Sequence, residues 1–228
     1  MNNRRKPVFT LEDIAQQAVM EYGFTPFFNQ AVLHQLRSCR LPAPNKKDGI
    51  RDLRNLFWSS LDNIDSQDLD QLEYCEQYKQ GMIHVKIAIA DVDYYVKRGD
   101  AIDRHASHNA TSLYTGIHNF PMLPEQLSYH SSSLLPNTDR LAIVIQYNVK
   151  KDGQIVFGDV YHAWVCNKAK LVYEQASQWL DDPKLRHFDW LNKDVEKQLL
   201  LQYEASKRLR ERRRAEGMLE FRSLVLKQ

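Results

Sequence analysis

The sequence predicts an α+β fold: an antiparallel or mixed β-sheet core flanked by helices, with a short helical segment in front. Three observations carry that prediction. Apolar residues recur at helical spacing near the N-terminus and again over a long stretch near the end, and alternate with period two in between; glycine-bearing turns separate the alternating runs. The order helix, strands, helix favours α+β over a doubly wound parallel sheet.

In chain order, residues 1–9 are polar. Thr10-Leu11-Glu12-Asp13 reads as a helix start with Thr10 as N-cap; Leu11, Ile14, Ala15, Ala18, Val19 and Tyr22 follow at helical spacing, and Gly23 stops the helix. A shorter helix runs from Asn29 through Val32, Leu33 and Leu36. Pro42, Pro44 and the charged residues up to Gly49 read as a linker, dividing a helical lead-in (1–48) from the main domain (49–228). Beyond it, Ile83, Val85, Ile87 and Ile89 alternate, with a turn at Lys79-Gln80-Gly81 joining this strand to the one before. A second hairpin is predicted from strands 141–149 and 154–166 around Lys151-Asp152-Gly153. The connection 104–137 is long enough to be functional or to wrap the core. Helices are predicted over 168–180 and from about Asp189 to Glu216.

At 228 residues the chain is long enough for a substantial core. Its 31 Lys and Arg against 29 Asp and Glu give a net charge of +2, so any surface for nucleic acid has to be local. Three widely spaced cysteines, Cys39, Cys75 and Cys166, argue against a disulfide framework and a cysteine-based zinc site, and point to a reducing cytoplasm. Arg4-Arg5-Lys6 has no apolar run behind it, and no stretch approaches the roughly 18 apolar residues of a membrane span. No signal peptide and no membrane partner are therefore expected.

The candidate site is the stretch from Asp62 to Gln71, with four carboxylates between two strand-like runs. Asp68 and Asp70 are two apart, so an extended backbone turns them to one face and Leu69 to the other. Such a cluster is tolerated when solvated, when Lys or Arg neutralises it, or when a metal does; a hard divalent cation takes oxygen ligands of this kind. A calcium loop is not indicated, because no Gly lies between Leu61 and Gln71. The other charged feature is Lys207 to Arg214, a dense basic block. It reads as a solvated helix end or as a phosphate contact, with Leu209 too isolated to form an apolar stripe.

Several stretches together resemble the catalytic domain of the ribonuclease II family, the RNB domain, in the family's order over about residues 50–222. They are Arg51-Asp52-Leu53-Arg54, the Asp62–Gln71 loop, Val85 to Val92, Thr111-Ser112-Leu113-Tyr114, Asn119 to Ser128, Asp139-Arg140-Leu141-Ala142 and Lys168 to Tyr173. The resemblance implies a 3′-to-5′ exoribonuclease that hydrolyses single-stranded RNA to nucleoside 5′-monophosphates with Mg²⁺, Mn²⁺ being an alternative. It implies Asp62 and Asp68 as metal ligands, Asp70 as ligand or water-orienting residue, Gln71 as a weakened ligand, and Tyr173 beside the active site. Tyr114 would stack near the RNA 3′ end; apart from the resemblance, Arg212 and Arg213 of the basic block are the candidate RNA phosphate contacts.

Two departures matter. The family's fourth aspartate falls on Gln71, which keeps an oxygen but brings no charge; Asp65 is an extra acid in the same loop. The family's domain also runs on past the motif resembling Glu216 to Phe221, so a C-terminally shortened RNB domain is expected, and a monomer. The alternative is a non-catalytic RNA-binding or interaction module that keeps the RNB fold.

Overall fold

The alternating residues in the middle of the chain fold into a sheet that closes on itself. The protein is described by a computed structural model covering residues 9–40, 49–182 and 192–219. Residues 1–8, the linker at 41–48 and the first residues of the expected long helix, 189–191, lie outside the described residues. The chain divides into two compact units, residues 1–43 with 91–133, and residues 44–90 with 134–228. The N-terminal helices thus group with a segment beyond the cut at residue 48.

The larger unit holds β1 (Arg51–Asp52), β2 (Trp58–Asp62), β3 (Gln71–Gln77), β4 (Ile83–Ala90), β7 (Asp139–Val149) and β8 (Ile155–Val172). β2, β3, β4, β7 and β8 pair in that order, and β8 returns to β2, closing a barrel. All pairs in the ring are antiparallel except β2 with β8, which is parallel; β1 adds a second parallel pairing to β8. Inside lie Trp58, Leu72, Ala88, Ala142, Val144, Ala163 and Val165. Three alanines on facing strands leave room for the Trp58 indole, whose Nε1 donates to the Leu53 carbonyl at 2.8 Å.

The stretch 168–172 is a strand, not the start of the helix predicted over 168–180. Its backbone pairs with β2 from Ser59↔Ala169 to Asp62↔Val172, and Leu171 is buried, so tertiary pairing overrides local propensity. The helix α4 begins only at Tyr173 and ends at Asp181. The last helix, α5 (Lys193–Ala215), packs on the outside of the barrel. Its inner stripe contains Val195, Leu199, Ala205 and also Leu209, which joins Cys75, Ile83, Val85 and Val149; Leu209 is therefore not isolated. Since β2 is short, the amide of Cys75 has no β2 partner, and Gln198 of α5 accepts its hydrogen bond at 2.7 Å.

The smaller unit holds α1 (Leu11–Glu21), capped by the Thr10–Asp13 box as predicted, α2 (Gln30–Ser38), α3 (Ala101–Asn109) and the hairpin β5 (Leu113–Tyr114) with β6 (Asn119–Phe120). The long connection is thus largely structured. α3 escapes the apolar periodicity because its inner face carries His105 and Asn109; the Asn109 side chain bonds the backbone of Thr25 through both its oxygen and its nitrogen. Val32, Tyr95, Ile102 and Leu127 form this unit's core.

Gly153, in the turn between β7 and β8, has φ +77°, and a Cβ there would lie 2.2 Å from the Arg208 carbonyl oxygen. Gly153→Ala should therefore push α5 off the barrel and lower stability by about 2–3 kcal/mol, read as a lower urea midpoint.

Candidate functional site

The acidic stretch is the connection between antiparallel β2 and β3, and both of its ends are fixed by the barrel. Asp62 is the last residue of β2, and Gln71 the first of β3, opposite Ile89 on β4. Between them Leu69 is buried in the barrel core, and its carbonyl accepts from the Leu134 amide at 2.7 Å. The Asp70 carbonyl accepts from the Ala90 amide at 2.9 Å. Leu69 is buried, whereas Asp68 is half-buried and Asp70 exposed, and β3 itself begins only at Gln71. At the other end, the Asp62 carboxylate accepts from the Asn63 amide at 2.9 Å and the Ser66 hydroxyl at 2.5 Å. The Lys170 ammonium of β8 donates to the carbonyls of Ile64 at 3.0 Å and Ser66 at 2.6 Å.

The carboxylates share one electrostatic neighbourhood. Burial, then the negative charges of Asp62 and Asp68, raise the proton affinity of the Asp70 carboxyl, against the opposing pull of its own backbone N–H. Tyr173 follows Val172, the partner of Asp62, and opens α4. Its phenol is held protonated by burial and by the charges of Asp62, Glu73 and Asp70. Glu73 is a site acid that the sequence reading missed: it sits two residues after Gln71 on the same face of β3, and burial raises its proton affinity. The i, i+2 spacing from Gln71 was its signal. The Cys75 thiol, pushed up to about 12 chiefly by burial, is no nucleophile.

Among the described residues, no three His, Cys, Asp or Glu side chains are gathered closely enough to hold a metal ion. Asp62, Asp68 and Asp70 are therefore coupled through charge but are not a preformed ligand cage. The donor set, carboxylates from one loop that repel each other, nevertheless fits a hard divalent cation, which would relieve that repulsion.

The remaining residues belong to other elements. Tyr114 is exposed on the β5–β6 hairpin of the smaller unit, opposite Asn119. Arg212 and Arg213 lie in the last turns of α5, where they line a cavity of about 360 Å³ with Ile155 and Leu209; Arg212 also bonds Glu216 at 2.5 Å. That end of α5 packs by the turns at Gly81 and Gly153, whereas the acidic loop is at the opposite end of β4. Eight residues of strand separate the two, about 23 Å at 3.3 Å per residue. The structure does not bring the basic block to the acidic loop. Asp65 is exposed in the loop's turn.

A carboxyl whose proton affinity is raised on folding favours the fold below its unfolded pKa, and loses that contribution as pH rises through the folded value. At neutral pH, ionised Asp70 therefore opposes folding. Asp70→Asn should raise stability at pH 7 by less than about 1 kcal/mol, the scale of exposed charge pairs, and change nothing near pH 3. Thermal unfolding of both proteins across that range checks the sign.

The chain matches the RNB domain family over residues 50–227. Ribonuclease R of Thermotoga maritima is 36% identical over 140 residues, which cover 60% of this chain and 20% of that protein. Mycoplasma genitalium RNase R, solved in complex with ribose-methylated single-stranded RNA, superposes with a TM-score of 0.80 at 27% identity, over 91% of this chain and 32% of that one. Yeast Ssd1, described as a pseudonuclease, shares the fold alone: TM-score 0.60, 15% identity, 75% of this chain and 22% of that one. The chain spans about a fifth to a quarter of the length of the first curated relatives it matches. With the RNB match covering most of its length, the chain belongs to the RNB domain family, whose named relatives here are ribonucleases.

Proposed function

We propose that this chain carries the metal-binding centre of a 3′-to-5′ exoribonuclease that hydrolyses single-stranded RNA to nucleoside 5′-monophosphates with Mg²⁺, Mn²⁺ serving as a substitute. The observation that carries this reading is the placement of Asp62 at the end of β2 and of Asp68 and Asp70 just before β3, on a loop fixed at both ends by the barrel, where the charges of Asp62 and Asp68 also act on Asp70. Bound there, the ion supplies Lewis-acid polarisation of the phosphate and lowers the pKa of its water. The chain's own groups supply the rest. Asp62 and Asp68 hold the cation, and Asp70, with its raised proton affinity, accepts the proton of the attacking water at its carboxylate. Tyr173, kept protonated, donates from its phenol to a phosphate oxygen. Tyr114, exposed, stacks on a base near the 3′ end, and Arg212 and Arg213 track the backbone farther along the strand.

Gln71 brings no charge where a fourth carboxylate would strengthen the hold on a hard cation, so the chain binds Mg²⁺ weakly and acts slowly. Poly(A) incubated with the chain and Mg²⁺ or Mn²⁺ should release mononucleotides slowly, in a reaction stopped by EDTA. Gln71→Asp should raise both that rate and the calorimetric Mg²⁺ affinity about tenfold. Gln71 equally favours a second reading, an RNA-binding module without hydrolysis. Metal-independent RNA binding, together with no release by either protein, selects the module and sinks the nuclease. Tyr114→Ala should weaken binding of a single-stranded oligonucleotide by about 1–3 kcal/mol, measured by fluorescence anisotropy.

A further inference from the structure

Lys170 belongs to β8, opposite Ser60 of β2 and on the side of the sheet that also carries Asp62. Asp62 ends the neighbouring strand, yet the hydrogen bonds described for the Lys170 ammonium go to two neutral acceptors, the Ile64 and Ser66 carbonyls at 3.0 and 2.6 Å. Those carbonyls flank Asp65 at the tip of the loop. Ser66 in turn donates to Asp62 at 2.5 Å, and its amide bonds the Asn63 carbonyl at 3.3 Å. The second half of the loop is anchored separately, by the Leu69 and Asp70 carbonyls. One side chain of β8 therefore anchors the tip of the loop, between Asp62 and the Asp68–Asp70 pair.

We propose that Lys170 is a positioning residue for the acidic loop. By tying the Ile64 and Ser66 carbonyls to β8, it sets the spacing between Asp62 and the Asp68–Asp70 pair, and with it the loop's affinity for a divalent cation. The inference rests on the nuclease reading for its consequence and on the hydrogen bonds alone for its geometry. A Lys engaged with carbonyls keeps its charge near the cluster without occupying a carboxylate, so the cluster stays acidic yet ordered. The side chain's other use would be direct contact with RNA phosphate.

The variants Lys170→Met, which keeps the stem, and Lys170→Arg, which keeps charge and donors, separate these roles in the full 228-residue chain. Lys170→Met should speed amide hydrogen exchange at residues 63–66 about tenfold and lower Mg²⁺ affinity by calorimetry about 10- to 100-fold, the range seen when groups that orient metal ligands are removed. Lys170→Arg should recover most of both. The salt dependence of RNA binding should keep its slope in both variants. Unchanged exchange in Lys170→Met overturns the strap itself. Faster exchange with Mg²⁺ affinity within twofold of wild type overturns its consequence for the cation. A log–log salt slope smaller by about 0.7 with metal affinity intact assigns Lys170 to phosphate contact instead. If the wild-type chain binds no divalent cation at all, the nuclease reading fails, and the exchange measurement still decides the strap.

Discussion

The structure depends on one strand that is used twice. β8 runs eighteen residues, pairs with β7 along its first part and with β2 along its last, and by doing so turns an open sheet into a ring. A sheet edge exposes unpaired amides and carbonyls; closure removes that cost for the strands in the ring. The same strand carries Asn167, which is buried, bonds the Ser60 hydroxyl and the Leu134 carbonyl at 3.0 Å each, and so joins three chain segments at one level of the barrel. Above that level come Lys170 and Val172, and then Tyr173. Barrel closure and placement of the acidic loop are thus one packing decision.

That placement has an electrostatic cost which the fold meets in a specific way. Mutually repelling carboxylates on a loose loop would simply move apart. Here the backbone on both sides of Asp70 is committed: Leu69 is in the core, and the carbonyls of residues 69 and 70 are bonded to Leu134 and Ala90. Burial first, and then the charges of Asp62 and Asp68, raise the proton affinity of Asp70 on this fixed backbone. A cation bound there would still have to draw the carboxylates together, over backbone that is already anchored on the Asp70 side.

Much of this was legible in the sequence where the physics is local. The Thr10–Asp13 cap and the β3–β4 hairpin both follow from spacing and turn chemistry. The pieces that were not legible depend on partners far along the chain. Residues 168–172 look helical until β2 is laid beside them, 110 positions away at Ser59↔Ala169. Leu209 looks isolated until α5 is set against Cys75, Ile83 and Val149. Lys170 carries no signal in sequence, since its acceptors are main-chain carbonyls that any residue supplies. Glu73 could have been found, because an acid two places beyond Gln71 must share its face.

The separation of basic and acidic ends argues for a division of labour along the barrel. A cation-rich helix end beside the carboxylates would neutralise them and compete with a metal for their charge. Arg208 instead bonds the Gly81 carbonyl and Glu204, and Arg212 bonds Glu216, at the far end of the strands. Their field falls off over a Debye length of about 8 Å at physiological salt, so across some 23 Å of strand it leaves the acidic loop almost untouched. A polyanion drawn to the basic end would gain counterion-release energy there without cancelling the charge needed at the loop, and only an extended strand could reach both. Under the proposed function, a ligand that used both ends would therefore have to span that length of strand.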